Sequence, residues 1–284
     1  MTARTLDGKA VAAQIQAELA GEVERLAAAG SRPGLAAVLV GDDEASHIYV
    51  GAKQRAAEAT GLVSRLVHLP ADATQAEVID AVEDLSADES VHGIIVQLPL
   101  PAAIDPIAVQ EAIDPAKDVD ALHPVNQGRI LRGDPRFLPC TPAGIIELLQ
   151  RQGVKLAGAH VVLVGRGTLV GRPLALLLAE KQRANATVTL CHTGTTDLAA
   201  HTRQADVLVV AAGQHALITA DMVKPGAAVV DAGQHRTPQG LQGDVTPTVA
   251  EVAGAITPVP GGVGPMTVAM LLHNTLQAAR LLAA

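Results

Sequence analysis

Val161-Val162-Leu163-Val164-Gly165-Arg166-Gly167-Thr168-Leu169-Val170-Gly171 is the stretch on which the fold turns. Four apolar residues with no polar interruption read as a strand buried on both faces. Three glycines follow, and then apolar spacing that fits a helix to about Gln182. A strand, a glycine turn and a helix in that order suit a dinucleotide. The glycines let the backbone approach a pyrophosphate, and the helix N-terminus offers unpaired N–H groups and the positive end of its dipole. The pattern Gly165-x-Gly167-x-x-x-Gly171 is one residue longer than the usual spacing, and a tight turn with no ligand is the alternative. Its place after a buried strand favours cofactor binding. The next strand, Thr187 to Cys191, runs into His192-Thr193 with no Asp or Glu at its tip for the ribose hydroxyls. Arg166 stands in the turn instead, so the expected cofactor is NADP. Gly194 carries no charge, and the preference rests mainly on Arg166.

Working outward, Val207 to Val210 and Ala228 to Asp231 are further strands, and Thr141 caps a helix through Gln150. Upstream lies a second alternating run. Val11, Ile15, Leu19, Val23 and Leu26 share one helical face that ends at Gly30. Strands follow at Gly34 to Val40, Leu62 to Leu69 and Gly93 to Leu98. Helices are expected around Tyr49 and Lys53, over Thr74 to Leu85, and over Ile107 to Ile113. Residues 114–142 carry Pro115, Pro124, Pro135, Pro139 and Pro142 and read as a long loop between domains. The apolar final helix, Met266 to Leu282, could return to the first domain. The expected class is α/β: an N-terminal α/β domain with a mostly parallel sheet, residues 1–139 plus 267–284, and a Rossmann-like domain, residues 140–266.

Composition narrows the function. At 284 residues the chain suits two domains with their own cores. The net charge of −8 carries no basic block, and one Tyr, one Phe and no Trp leave little to stack on bases, so nucleic acid is not the expected partner. The apolar runs are too short to span a bilayer, and the N-terminus has no signal-peptide pattern. Cys140 and Cys191 form neither a disulfide framework nor a metal set by spacing, and no His-x-x-x-His pair occurs. The expectation is a reduced, cytoplasmic protein without a metal.

Four further segments carry chemistry. Tyr49 and Lys53 stand one helical turn apart on one face. The pair reads either as a lysine placed for proton exchange or as an ordinary amphipathic face, and alone it favours the second. Gln97 ends the apolar strand Ile94-Ile95-Val96, where ligands gather in open α/β sheets; a strand end reaching solvent is the equal alternative. In Lys117-Asp118-Val119-Asp120 the two carboxylates of an extended segment point to opposite sides, one toward a ligand and one toward a local partner; without other support this is a solvated loop. Pro258-Val259-Pro260-Gly261-Gly262-Val263-Gly264-Pro265 leaves bare backbone that could lie flat on a planar ligand. His123 and His192 default to structural roles.

In order along nearly the whole chain, Ser46-x-x-Tyr49-Val50-x-x-Lys53, Val96-Gln97-Leu98-Pro99-Leu100-Pro101, Lys117-Asp118-Val119-Asp120, Pro139-Cys140-Thr141-Pro142, Val164-Gly165-Arg166, Asn185-Ala186-Thr187-Val188 and Pro258 to Thr267 resemble the bifunctional methylenetetrahydrofolate dehydrogenase/cyclohydrolase family. The resemblance implies a homodimer in which a folate-contacting domain and an NADP domain share a cleft. It implies oxidation of 5,10-methylene-tetrahydrofolate by NADP, then hydrolysis of the methenyl product to 10-formyl-tetrahydrofolate. Lys53 matches the catalytic lysine, Tyr49 its partner, Gln97 the amide that positions it, and Asp120 the carboxylate that anchors the pterin edge. Val96, Leu98 and Pro260, Gly261, Gly262, Val263 and Gly264 match folate contacts. Gly165, Arg166, Gly167, Gly171, Thr193 and Gln234 match cofactor contacts. Four positions depart from the pattern: Gly167 for serine, Thr193-Gly194 for Ser-Lys or Ser-Arg, Gln234 for a hydrophobic residue, and Ala121 for glycine. Two rivals remain at this level. One is a dehydrogenase of an amino or hydroxy acid, which needs no Tyr49–Lys53, Gln97 and Asp120 set. The other is a non-catalytic folate- or nucleotide-binding protein, which needs no placed lysine.

Overall fold

The computed structural model describes residues 2–283. In chain order it contains β1 (Arg4–Thr5), α1 (Gly8–Ala28), β2 (Gly34–Val40), α2 (Glu44–Ala59), β3 (Val63–Leu69), α3 (Gln75–Ala87), β4 (Gly93–Val96), α4 (Pro106–Glu111), α5 (Pro124–Leu131) and α6 (Cys140–Arg151). Then come β5 (His160–Val164), α7 (Gly171–Ala179), β6 (Thr187–Cys191), α8 (Leu198–Thr202), β7 (Val207–Val210), β8 (Ala228–Asp231), β9 (His235–Thr237), β10 (Gly240–Gln242), β11 (Ala255–Ile256) and α9 (Val263–Leu282). The chain is α/β and divides into two compact units. One runs from Ala13 to Cys140 and resumes at Val268; the other joins the residues up to Ala12 to Thr141–Thr267.

The first unit holds a parallel sheet in the order β3-β2-β4. Every residue of β2 is buried, as its unbroken apolar run requires of a central strand. Val38, Ile94 and Val96 pack against Val78, Val82 and Leu85 of α3. Asp43 starts α2 by accepting from the Ser46 backbone N–H at 2.8 Å. Thr74 and Glu77 form a reciprocal capping box at α3. The expected loop over 114–142 contains a helix, α5. Pro124 occupies its first turn, where no N–H is needed, and His123 caps it by accepting from the Val125 N–H at 3.1 Å. His123 therefore has the structural role expected of it.

The second unit holds a six-stranded parallel sheet in the order β1-β11-β8-β7-β5-β6, with the hairpin β9–β10 beside it. β5 is flanked by β6 on one side and β7 on the other, so the strand order reverses at β5. That is the switch point at which open α/β sheets bind ligands. β1 pairs with β11, which ties the start of the chain to this unit rather than to the one the sequence boundaries gave it. Two-residue strands leave no periodic signal, so this pairing was not readable. The final helix begins at Val263, not Met266, and its first turn takes in Gly264 and Pro265 from the glycine segment. Thr141 lies inside α6, which starts at Cys140; its hydroxyl meets that of Thr267 at 2.9 Å instead of capping the helix. No described helix is long and apolar enough to cross a membrane.

Candidate active site

In the first unit, α2 carries Tyr49 and Lys53 one turn apart, and β4 delivers Gln97 at its carboxyl end. Lys53 Nζ donates to Gln97 Oε1 at 3.0 Å. Gln97 is fixed from both ends. Its backbone N–H donates to the Val38 carbonyl at 2.9 Å, continuing the ladder to β2, and its Nε2 donates to the Leu98 carbonyl at 2.6 Å. The amide oxygen is therefore the end left for the ammonium. Both side chains are half-buried, and Val96 behind them is 9 % exposed. Tyr49 is 37 % exposed, an open position for the sole tyrosine.

The segment Lys117–Asp120 is not extended but turned, with the Val119 N–H donating to the Lys117 carbonyl and the Ala121 N–H to that of Asp118, and its two carboxylates differ in burial. Asp118 is buried and satisfied locally: it accepts from the Leu122 and His123 N–H groups and from Asn126 Nδ2 at 3.2, 2.9 and 2.8 Å. Burial holds its carboxyl above the ordinary carboxylate range, and those three donors oppose the shift. Asp120 is half-buried. Ala121, which follows it, sits at φ 57° and is wholly buried; that backbone favours glycine, the residue Ala121 replaces in the family pattern.

Sequence reasoning gave Cys140 no role. The structure buries it beside the proposed set: its thiol donates to the Val119 carbonyl at 3.4 Å, and Asn274 Nδ2 approaches its sulfur at 3.7 Å. Burial pushes the thiol well above its usual range. The Asp120 charge and a hydrogen bond to Asp120 add to this, and Lys53 opposes it. Asn274 holds the same segment by donating to the Val119 and Leu138 carbonyls, both at 2.8 Å. Its signal was present: a polar amide among Leu271, Leu272 and Leu276 on an apolar helix must find partners.

In the second unit the glycine turn is shaped as a cradle. Gly165 has φ +120°, and a Cβ there would lie 2.1 Å from the Ala211 carbonyl oxygen. A Cβ on Gly171 would lie 2.0 Å from the Gly165 carbonyl oxygen. Gly167 has no atom within 4 Å of such a position. The backbone is bare where α7 begins, and Arg166 is exposed beside it. These features fit a dinucleotide pyrophosphate at a helix N-terminus. Past β6, His192 Nδ1 accepts from the Gly194 N–H at 3.0 Å, so His192 shapes the turn and leaves Thr193 exposed. Gln234 Nε2 lies 3.3 Å from where a Gly264 Cβ would stand, which brings Gln234 to the glycine segment. Within that segment Pro260 is exposed and Gly261 sits at φ +107°. Gly262 is buried: its own Cβ would strike Thr257 and the Pro258 carbonyl at 2.7 Å, and its carbonyl oxygen lies 1.8 Å from where a Gly8 Cβ would be. Close packing, and not only an open face for a ligand, demands glycine there.

Two family models cover the chain. Residues 6–120 match the tetrahydrofolate dehydrogenase/cyclohydrolase catalytic domain, and residues 139–283 match the NAD(P)-binding domain of the same enzymes. The chain belongs to the tetrahydrofolate dehydrogenase/cyclohydrolase family. It is 53 % identical to the bifunctional protein FolD of Rhodopirellula baltica, with 100 % of this chain and 99 % of the relative covered. The crystal structure of the bifunctional FolD enzyme of Campylobacter jejuni superposes with a TM-score of 0.94 at 46 % identity, covering 98 % of each chain. That of the Trypanosoma brucei dehydrogenase-cyclohydrolase, solved with NADP and an inhibitor, gives 0.93 at 43 % identity over 99 % of this chain and 98 % of the other. For this member of the tetrahydrofolate dehydrogenase/cyclohydrolase family, the Lys53–Gln97 contact and the Gly165 cradle fall within the catalytic-domain and NAD(P)-domain matches respectively.

Proposed function

We infer that this chain oxidises 5,10-methylene-tetrahydrofolate to the 5,10-methenyl compound with NADP and then hydrolyses that compound to 10-formyl-tetrahydrofolate. The observation that carries the reading is the 3.0 Å bond from Lys53 to a Gln97 held at both its other polar ends, in a chain whose two halves match the family's two domain models. Bound NADP supplies the hydride acceptor. Gly165, Gly167, Gly171 and the first turn of α7 would hold its pyrophosphate, with Arg166 at the 2′-phosphate and Thr193 and Gln234 as further contacts.

Removing hydride from the methylene carbon needs no protein base, because the adjacent nitrogen lone pair stabilises the cation that forms. The protein's contribution at this step is position. Asp120 would accept from the amino-pyrimidine edge of the pterin. Val96, Leu98 and Pro260 to Gly264 would bound the folate, and Tyr49 would stand beside Lys53. Hydrolysis is different. Water adds to the methenyl carbon, a proton leaves it, and a proton reaches the nitrogen as the carbon–nitrogen bond breaks. Lys53 moves those protons, and Gln97 aims it. The same reading makes the enzyme a cytoplasmic homodimer. The test is to follow NADPH appearance with methylene-tetrahydrofolate, then loss of the methenyl absorbance. Both phases are expected; a chain that reduces NADP only with an amino or hydroxy acid would overturn the reading.

A further inference from the structure

Asp42, His47 and His68 come together on the first unit, away from any role given above. Asp42 follows Gly41, whose φ of +82° turns the chain at the end of β2. His47 stands in the first turns of α2, and His68 near the end of β3, where Leu39 of β2 is its register partner. Histidine spacing hid the group, because the three residues sit on separate elements. Asp42 Oδ1 lies 3.8 Å from His47 Nε2 and 3.5 Å from His68 Nε2. One ligand atom from each residue lies within 4.8 Å of the other two. The two imidazoles stand at 89° with centroids 5.1 Å apart, so the rings do not stack and block each other. The Gly41 carbonyl oxygen, 3.0 Å from His68 Nε2, adds a fourth oxygen or nitrogen atom to the group.

We propose that Asp42, His47 and His68 bind a divalent transition-metal ion, with zinc as the best fit. Two imidazoles and one carboxylate are the donor set of borderline metals, whereas magnesium and calcium prefer oxygen throughout. Zinc–nitrogen and zinc–oxygen bonds of about 2.0–2.2 Å put neighbouring donors of a tetrahedron roughly 3.3 Å apart. The carboxylate–imidazole separations of 3.5 and 3.8 Å need to close by a few tenths of an ångström, and the three donor atoms, all within 4.8 Å of one another, by at most about 1.5 Å, which turning the exposed side chains supplies. All three side chains are exposed, so water can complete the coordination and the ion can exchange. His68 Nε2 faces the Gly41 carbonyl; when an ion takes Nε2, the ring proton resides on Nδ1. A bound ion would tie the ends of β2 and β3 to α2.

The test uses the tag-free, full-length enzyme stripped with EDTA, since an affinity tag would itself take up zinc. Titration with zinc chloride near neutral pH, followed by calorimetry, is expected to show one strong equivalent per chain and a rise in melting temperature. Magnesium chloride is expected to do neither. The His47→Gln/His68→Asn double variant should bind zinc at least about tenfold more weakly while melting like wild type in EDTA. Asp42→Asn, a change at an 80 % exposed side chain, serves as the second variant should the double one fold poorly, with the same loss of zinc affinity expected. No zinc uptake at micromolar concentration, equal uptake of magnesium, or unchanged zinc affinity in the variants would overturn the proposal.

Discussion

Replacing Gly165 by alanine places a methyl group where the fold has no room for one. The residue sits at φ +120°, and the new Cβ would lie 2.1 Å from the Ala211 carbonyl oxygen and 2.6 Å from its carbon. Both atoms are backbone at the end of β7, so no rotamer change relieves the contact. Holding a non-glycine residue in that conformation costs about 1–3 kcal/mol, and overpacking a tight site costs about 1–3 kcal/mol more. The sum, roughly 2–6 kcal/mol, is a large part of the 5–15 kcal/mol that ordinarily separates folded from unfolded chains. At about 2–4 °C per kcal/mol for a unit of this size, the melting temperature should fall by at least about 4 °C. NADP affinity should fall with it, since the turn that would hold the pyrophosphate must move. Gly167→Ala is the internal control: no atom lies within 4 Å of its Cβ, so stability should stay within about 0.5 kcal/mol of wild type. Thermal melts and NADP titrations on both variants decide the matter. Gly165→Ala melting with wild type and binding NADP normally would refute the cradle geometry.

Three further outcomes follow. Gln97→Ala removes the acceptor of a charge-assisted bond of about 1.5–3 kcal/mol, so cyclohydrolase activity should fall roughly 10- to 150-fold while the melting temperature holds; a variant with undiminished ring opening would show that the amide does not aim Lys53. Arg166→Ala should weaken NADP by about 1–3 kcal/mol and leave NAD nearly untouched, as measured by the ratio of kcat/KM for the two cofactors; an equal loss for both would remove the guanidinium from the 2′-phosphate. Cys140 and Cys191, 2 % and 1 % exposed with both thiols pushed up by burial, should resist a thiol-directed chromogenic reagent in the native enzyme and both react in guanidinium; rapid native labelling of either contradicts that burial.

What could be read in advance followed from how each segment is buried. β2, β7 and β8 match their apolar runs because a strand covered on both faces leaves an uninterrupted signal. α5 was hidden because Pro124 reads as a breaker, although at the first turn of a helix it breaks nothing. The hairpin β9–β10 is short and mostly polar, so it carries no periodic pattern. In sequence Gly262 reads as bare backbone facing a ligand, and its burial against Thr257, Pro258 and Gly8 appears only once the chain is folded. At the site, Tyr49 and Lys53 were legible as one helical turn and Gln97 as a strand end. The bond between Lys53 and Gln97 spans separate elements, and so does that between the Cys140 thiol and the Val119 carbonyl. Local sequence holds no record of either.

The central claim is that Lys53 moves protons in ring opening and only assists position in hydride transfer. Lys53→Met keeps an unbranched chain of similar length and removes the ammonium that donates to Gln97. Formation and loss of methenyl-tetrahydrofolate are followed separately in the purified variant supplied with methylene-tetrahydrofolate and NADP. The account predicts that methenyl loss slows roughly 10²–10⁴-fold or more while its formation persists in part, so the methenyl compound accumulates. Ring opening at the wild-type rate without Lys53 would falsify the assignment.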